Sequence, residues 1–219
     1  RAMQIEKPLC PPSLDGCDQL SRLLENEGVA GFVGYDHVVG EAAETLVELA
    51  RGGAVGEILT IDVEFREHWA GIFGAHPWLS GPEDSYLGFW KRGGGASGEH
   101  SHAMNFWSFL NHELGFGPAS RISAAIRYRE EDSGASYDDL ACYHLWTDSG
   151  MQGRVVQDVV TIPSKKEALI QGVEGRLRWI CNHSPEGDAI VIERPGSDAE
   201  TRVFPKKRPD DFIREMRHI

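Results

Sequence analysis

The chain contains no apolar run of the ~18–20 residues that a membrane-crossing helix needs, and no such span is expected. Cations are scarce: 22 Lys and Arg stand against 34 Asp and Glu, for a formal net charge of −12. That balance argues against a nucleic-acid-binding protein, which presents a basic face. Cysteines number four, Cys10, Cys17, Cys142 and Cys181, with no C-x-x-C pair. Cys10 and Cys17 are seven apart, a poor match to zinc-ribbon spacing. Free thiols in a reducing, cytoplasmic compartment are the expectation. The opening "RAMQIEKPLC" has no long apolar region, so it does not read as a signal peptide. Internal repeats and low-complexity tracts are also missing. What remains, 219 residues of which 41% are hydrophobic, suits one large soluble domain or two small ones.

The periodicity supplies the elements. "AMQIEKP" reads as a short strand. "PPSLDGCDQLSRLLENEG" reads as a helix capped by Ser13 or Asp15 and stopped by Gly28. "VAGFVGYD" is a second short strand, and "GEAAETLVELARGGAVG" a second helix. "EILTIDVEFREHW" alternates as a half-buried strand does. A long Gly-, Pro- and aromatic-rich loop follows, with Trp69, Phe73, Trp78, Tyr86, Phe89 and Trp90. One helix is expected from Ala96 to Leu114. Then come five strand-like runs, broken at "TDSGMQG" and "GVEG" as hairpins are, and a last helix with Pro209 in its first turn. The expected class is α/β (α+β): an open, mostly antiparallel sheet packed on helices, preceded by strand–helix units of parallel type.

Two stretches hold chemistry. "EKP", Glu6 to Pro8, ends the first strand, where open α/β sheets bind ligands; a lysine there can stabilise negative charge on a substrate oxygen. In "KRGGGASGEHSHAMNFW", Gly93, Gly94 and Gly95 offer room for a ligand. Glu99 and His102, at i and i+3, would share a helix face, an acid orienting a base. A metal held by His76, His100, His102 and Glu99 is the competing reading. His100 and His102 would point about 200° apart on a helix, so no metal is assigned. The other histidines show no joint spacing.

In order along the chain, "EKPL", "FVGYD", "LARGGAVGEILTIDVEF", "GGGASGEHSHAMN" and "ALIQGVEGRLRW" resemble the glucose-fructose oxidoreductase / inositol dehydrogenase (Gfo/Idh/MocA) family. The resemblance implies an NAD(P)-dependent oxidoreductase acting on a secondary alcohol or ketone of a sugar, cyclitol or nucleotide-sugar. It implies residues 1–35 as a remnant of a Rossmann domain and 36–219 as the substrate-binding and oligomerisation domain. It carries Lys7 over as the lysine beside nicotinamide and substrate, with Glu6 and Pro8 on the cofactor side. His102 becomes the catalytic histidine, Glu99 the acid before it, and Asn105 a residue lining the site. Trp78, Tyr86 and Trp90 would pack against sugar C–H faces.

The sequence departs from the family's pattern in three places. Glu99 and His102 are three apart where many members have four. Asp36 and His37 replace an Asn and Arg. No G-x-G-x-x-G follows a strand near the start. A fragment of a longer enzyme, inactive alone and not itself holding NAD or NADP, is therefore the expectation; a non-catalytic sugar-binding or assembly module of the same fold is the alternative. Partners are expected to be a sugar-like small molecule and a second copy of the chain, neither nucleic acid nor membrane. The copy would sit on a bare sheet face carrying Ile126, Tyr128, Tyr143, Leu145, Val156 and Val159.

Overall fold

The structure is a computed structural model describing residues 1–219, apart from the side chain of Arg208. It opens with β1 (Ala2–Glu6), α1 (Cys17–Glu27) and β2 (Ala30–Gly34). β1 and β2 form a two-stranded parallel sheet, with Glu6 opposite Gly34. Both strands therefore release their chains at the same edge. Helix α1 begins one residue after Gly16, so neither Ser13 nor Asp15 caps it; the two bond each other at 2.8 Å. Gly28 ends it in the left-handed conformation, as expected.

A 3-10 turn (Asp36–Val39) leads into α2 (Glu41–Arg51) and β3 (Ile58–Arg66). The expected long loop is largely structured: α3 (Trp69–Gly74) and three 3-10 turns occupy it. The single helix expected from Ala96 to Leu114 is two helices, α4 (Gly95–Glu99) and α5 (Ser101–Glu113), broken at His100. Seven strands follow: β4 (Ala119–Glu130), β5 (Ser136–Thr147), β6 (Gln152–Asp158), β7 (Lys165–Gly172), β8 (Arg176–Ser184), β9 (Gly187–Glu193) and β10 (Glu200–Pro205). The chain continues into α6 (Arg208–His218), with Pro209 in its first turn.

The large sheet runs β10-β9-β8-β7-β3-β6-β5-β4. Only β3 and β6 pair parallel; every other neighbouring pair is antiparallel. β3 lies near the centre because its alternation is strict: Ile61, Val63 and Phe65 are buried and their neighbours only partly so. Those three meet Leu46 and Val47 of α2 and Phe106, Trp107 and Leu110 of α5 on one face. Trp107 is fully buried and donates its indole N–H to the Ile61 carbonyl at 2.9 Å, which locks α5 to the sheet centre. A second, smaller core joins Trp69, Ile72 and Leu87 to Ala96, Tyr137 and Val159. No described helix is long and apolar enough to cross a membrane.

The expected bare face is only partly bare. Leu145 and Val159 are core residues, and Tyr143 packs against the main core. Strand β4 at the sheet edge is exposed along its whole length, with Ile122, Ile126 and Tyr128 among its residues. The four cysteines are free thiols.

Candidate functional site

The parallel pairing of β1 and β2 sends Glu6-Lys7-Pro8 and Gly34-Tyr35-Asp36 out side by side. The Lys7–Pro8 peptide bond is cis. Lys7 then reaches α4: its Nζ donates to the Glu99 carbonyl at 2.8 Å and to Glu99 Oε2 at 3.1 Å. Both side chains are mostly shielded. Lysine has three N–H donors, so one is left for a ligand.

The glycines explain how α4 comes so close. Gly93 to Gly95 and Gly98 are buried or nearly so. Gly95 has φ +80°, and a Cβ there would collide with Asp138; at Gly98 it would collide with the Gly93 carbonyl. They admit the protein's own chain at close range, a use of the glycines that the sequence reading of room for a ligand did not include. Asp138 closes the turn by accepting from Ser97 N–H at 2.8 Å and Ser97 Oγ–H at 2.7 Å. A G-x-G-x-x-G spacing does occur from Gly93 to Gly98. It follows a 3-10 turn and opens a helix of five residues, so it lacks the strand–turn–helix setting of a dinucleotide fingerprint.

The break at His100 changes the acid–base pairing. His100 is buried, and its carbonyl accepts from Gln157 Nε2 of β6. The helix is broken at this residue, so Glu99 and His102 lie on different helices and do not share a helix face. Glu99 serves Lys7, and the acid beside His102 is Asp36: Asp36 Oδ1 lies 3.5 Å from His102 Nδ1. The His102 ring is wedged edge-on against Tyr35 at 5.5 Å and His37 at 4.8 Å, and stacks over Phe65 at 6.4 Å. Burial pushes the His102 pKa well below the usual imidazole value; His37 and Lys7 push the same way, and Asp36 pulls back. The ring is therefore neutral near pH 7. Since Nδ1 is buried toward Asp36, Nε2 is the nitrogen left to meet a ligand.

Lys7, Glu99, Asp36 and His102 share one cavity of about 760 Å³, which Glu6, Pro8, Trp78 and Tyr86 also line. Trp78 stands at its mouth, 72% exposed, edge-on to His76 at 5.2 Å. Tyr86 has its hydroxyl pushed up to about 12, first by burial and then by Glu99 and Glu6, so it stays protonated. Two expected residues lie elsewhere. Trp90 lines a neighbouring apolar pocket and packs edge-on against Tyr128 at 5.5 Å. Asn105 faces a small separate pocket with Gln4, Phe32 and Tyr35.

Sequence reasoning missed Asp36 as the partner of His102, although its place at the exit of β2 was a usable signal. It also missed Arg92, His76, and Phe212 and Glu215 of α6, all on the cavity wall. Burial, with Asp36 and Glu6 nearby, holds the Glu215 carboxyl above its ordinary value, although Gln4 opposes the shift. Nothing in the local sequence of α6 says that it folds back onto the first strands.

No family model and no curated protein matches the sequence. Solved structures do. The aldose-aldose oxidoreductase from Caulobacter crescentus, complexed with glycerol, superposes with a TM-score of 0.76 at 17% identity, over 100% of this chain and 60% of that one. An NAD binding oxidoreductase from Klebsiella pneumoniae gives 0.67 at 18%, over 94% and 54%. An inositol dehydrogenase homolog from Azotobacter vinelandii, complexed with NADH and myo-inositol, gives 0.62 at 20%, over 91% and 49%. The chain thus spans 49% to 60% of the length of these structures, and at such identities the likeness is one of fold. That fold is the one shared by oxidoreductases of the Gfo/Idh/MocA type.

Proposed function

We propose that this chain forms the substrate side of an NAD(P)-dependent oxidoreductase that oxidises a secondary alcohol of a neutral sugar or cyclitol, or reduces the ketone. Residues 1–35 would belong to the nucleotide-binding unit and 36–219 to the substrate-binding and pairing domain, in a cytoplasmic homodimer or higher homo-oligomer. One observation carries the reading: Lys7 and His102, a cation and a neutral imidazole from distant segments, open into one cavity. Each is held by its own carboxylate, Glu99 and Asp36.

His102 Nε2 accepts the substrate's hydroxyl proton, while Nδ1–H points at Asp36, which stabilises the imidazolium that forms. The remaining N–H of Lys7 is donated to the same oxygen as it gains negative charge. Glu99 keeps the amine extended into the cavity. A bound nicotinamide would supply the acceptor for the hydride of the carbinol carbon. The chain's own residues fit only that end of the cofactor: Glu6, Lys7 and Pro8 sit at the carboxyl end of a parallel strand, where such sheets bind ligands. No glycine-rich phosphate turn accompanies them among the described residues.

The lining favours an uncharged substrate. Glu6, Asp36, Glu99 and Glu215 outnumber Lys7 and Arg92, and this potential repels anionic sugars. Trp78 offers an exposed ring face to a sugar's C–H face. Two of the structural neighbours were solved with uncharged polyols, glycerol and myo-inositol, and a third with L-tartaric acid. Titrating the full gene product with NADH, followed by nicotinamide fluorescence, tests the assignment. Saturable binding is the expected result. No binding by the full product would overturn it in favour of a non-catalytic sugar-binding or assembly module.

A further inference from the structure

Asp36, His37 and His102 each offer one ligand atom within 4.8 Å of the other two. All three residues also carry a bare polar atom: Asp36 Oδ1, His37 Nδ1 and His102 Nδ1. Each of the three is buried and has no hydrogen-bond partner. Buried polar atoms are nearly always paired, so three bare ones on residues this close mark a missing ligand.

The donor set says which ligand. With each imidazole protonated on its other nitrogen, the three atoms all offer lone pairs, a set that favours a cation. Two imidazoles with one carboxylate are a ligand set of open zinc sites, and imidazole suits the borderline divalent metals better than magnesium or calcium. The Asp36–His102 separation of 3.5 Å is close to the edge of about 3.4 Å for a tetrahedron with bonds of about 2.1 Å. His37, at up to 4.8 Å, must close by at most about 1.4 Å to reach that edge, within the reach of small side-chain rotations. Its ring is steadied edge-on by Phe65 at 5.2 Å and Trp179 at 5.8 Å. The nearby cations are already balanced, Lys7 by Glu99 and Lys166 by Glu67.

We infer that Asp36, His37 and His102 form a three-ligand site for a zinc-class divalent cation. Loading the site relocates the ring proton. With Nδ1 on the metal, the proton of neutral His102 sits on Nε2, which then cannot accept one from a substrate. Zinc is therefore an inhibitor of the proposed oxidation. That consequence rests on the role given to His102 above; the binding does not.

The experiment measures binding directly, on tag-free protein, by competition between the chain and a chromophoric chelator for Zn2+. The wild type should take up one equivalent at micromolar affinity or tighter. Asp36→Asn and His37→Gln should each weaken it by about a hundredfold or more, and His183→Gln, at an exposed histidine, should not. Far-UV circular dichroism identifies any variant that fails to fold. The visible spectrum of the Co2+-loaded wild type decides independently: strong absorption of a four- or five-coordinate ion is expected. No wild-type uptake, full affinity in either folded variant, or the weak spectrum of the aqueous ion would overturn the site, whatever the full gene product does with NADH.

Discussion

Lys7 and Glu99 are 92 residues apart in sequence, yet the lysine Nζ makes two bonds to Glu99, one to its carbonyl and one to its carboxylate. This pair joins the first strand to the glycine-rich turn and fixes where the amine sits. In the full gene product, Glu99→Ala should lower kcat by about 10–100-fold through misplacement of that amine. Lys7→Met should cost about 10²–10³, the usual loss for a donor to a developing oxyanion. Steady-state kinetics on both variants checks this. An unchanged kcat in Glu99→Ala would mean the pair serves only folding.

Trp78 is the most exposed aromatic of the cavity. If it holds a sugar ring by stacking, worth about 0.5–1.5 kcal/mol, Trp78→Ala should raise KM about three- to tenfold with little change in kcat. A fall in kcat at constant KM would instead place Trp78 in the chemistry.

Asp158 gives the fold a pH limit. Burial alone would raise its pKa. Arg66 at 2.5 Å, Thr161 and the Val160 N–H more than offset that and hold it below the ordinary carboxylate value. A depressed folded pKa contributes stability that is fully present above the unfolded pKa, about 3.9. It is lost as pH falls through the folded value. Urea midpoints should therefore drop below about pH 4. Asp158→Ala should cost about 2–4 kcal/mol at pH 7 and should flatten that part of the acid profile. An unaltered profile in the variant would assign the acid limit to other groups.

Strand β4 presents Ile122, Ile126 and Tyr128 to solvent at the edge of the eight-stranded sheet. A second copy related by a two-fold axis is the simplest cover for it. Light scattering should report a dimer at micromolar concentration, and Ile122→Asp with Ile126→Asp should give a monomer. A wild-type monomer would contradict pairing through this face.

Much of this fold is legible in the sequence because its strands alternate and its turns carry glycine. β3 reads correctly from Ile61, Val63 and Phe65, and the break at Gly172–Gly175 separates β7 from β8. β10 is not legible because it is a short edge strand whose six residues are mostly exposed. Nor is the break at His100. There the His100 carbonyl accepts from Gln157, 57 residues away, a contact that no local pattern encodes. Lys7 and His102 are legible as site residues because they lie at a strand exit and a helix start. The partnering of Asp36 with His102 is not. It depends on Glu6 lying opposite Gly34 in a parallel pair, a register set by tertiary packing that no local pattern encodes.

Lys7 and His102, in the proposed reaction, act together on one secondary alcohol. The most direct measurement follows nicotinamide reduction by the full gene product, supplied with NAD+ or NADP+ and a panel of neutral sugars and cyclitols. Turnover of at least one is expected in the wild type, with kcat about 10²–10⁴-fold lower in His102→Ala and KM little changed. Failure to oxidise any of them, or a His102→Ala rate within a few-fold of wild type, would contradict the account.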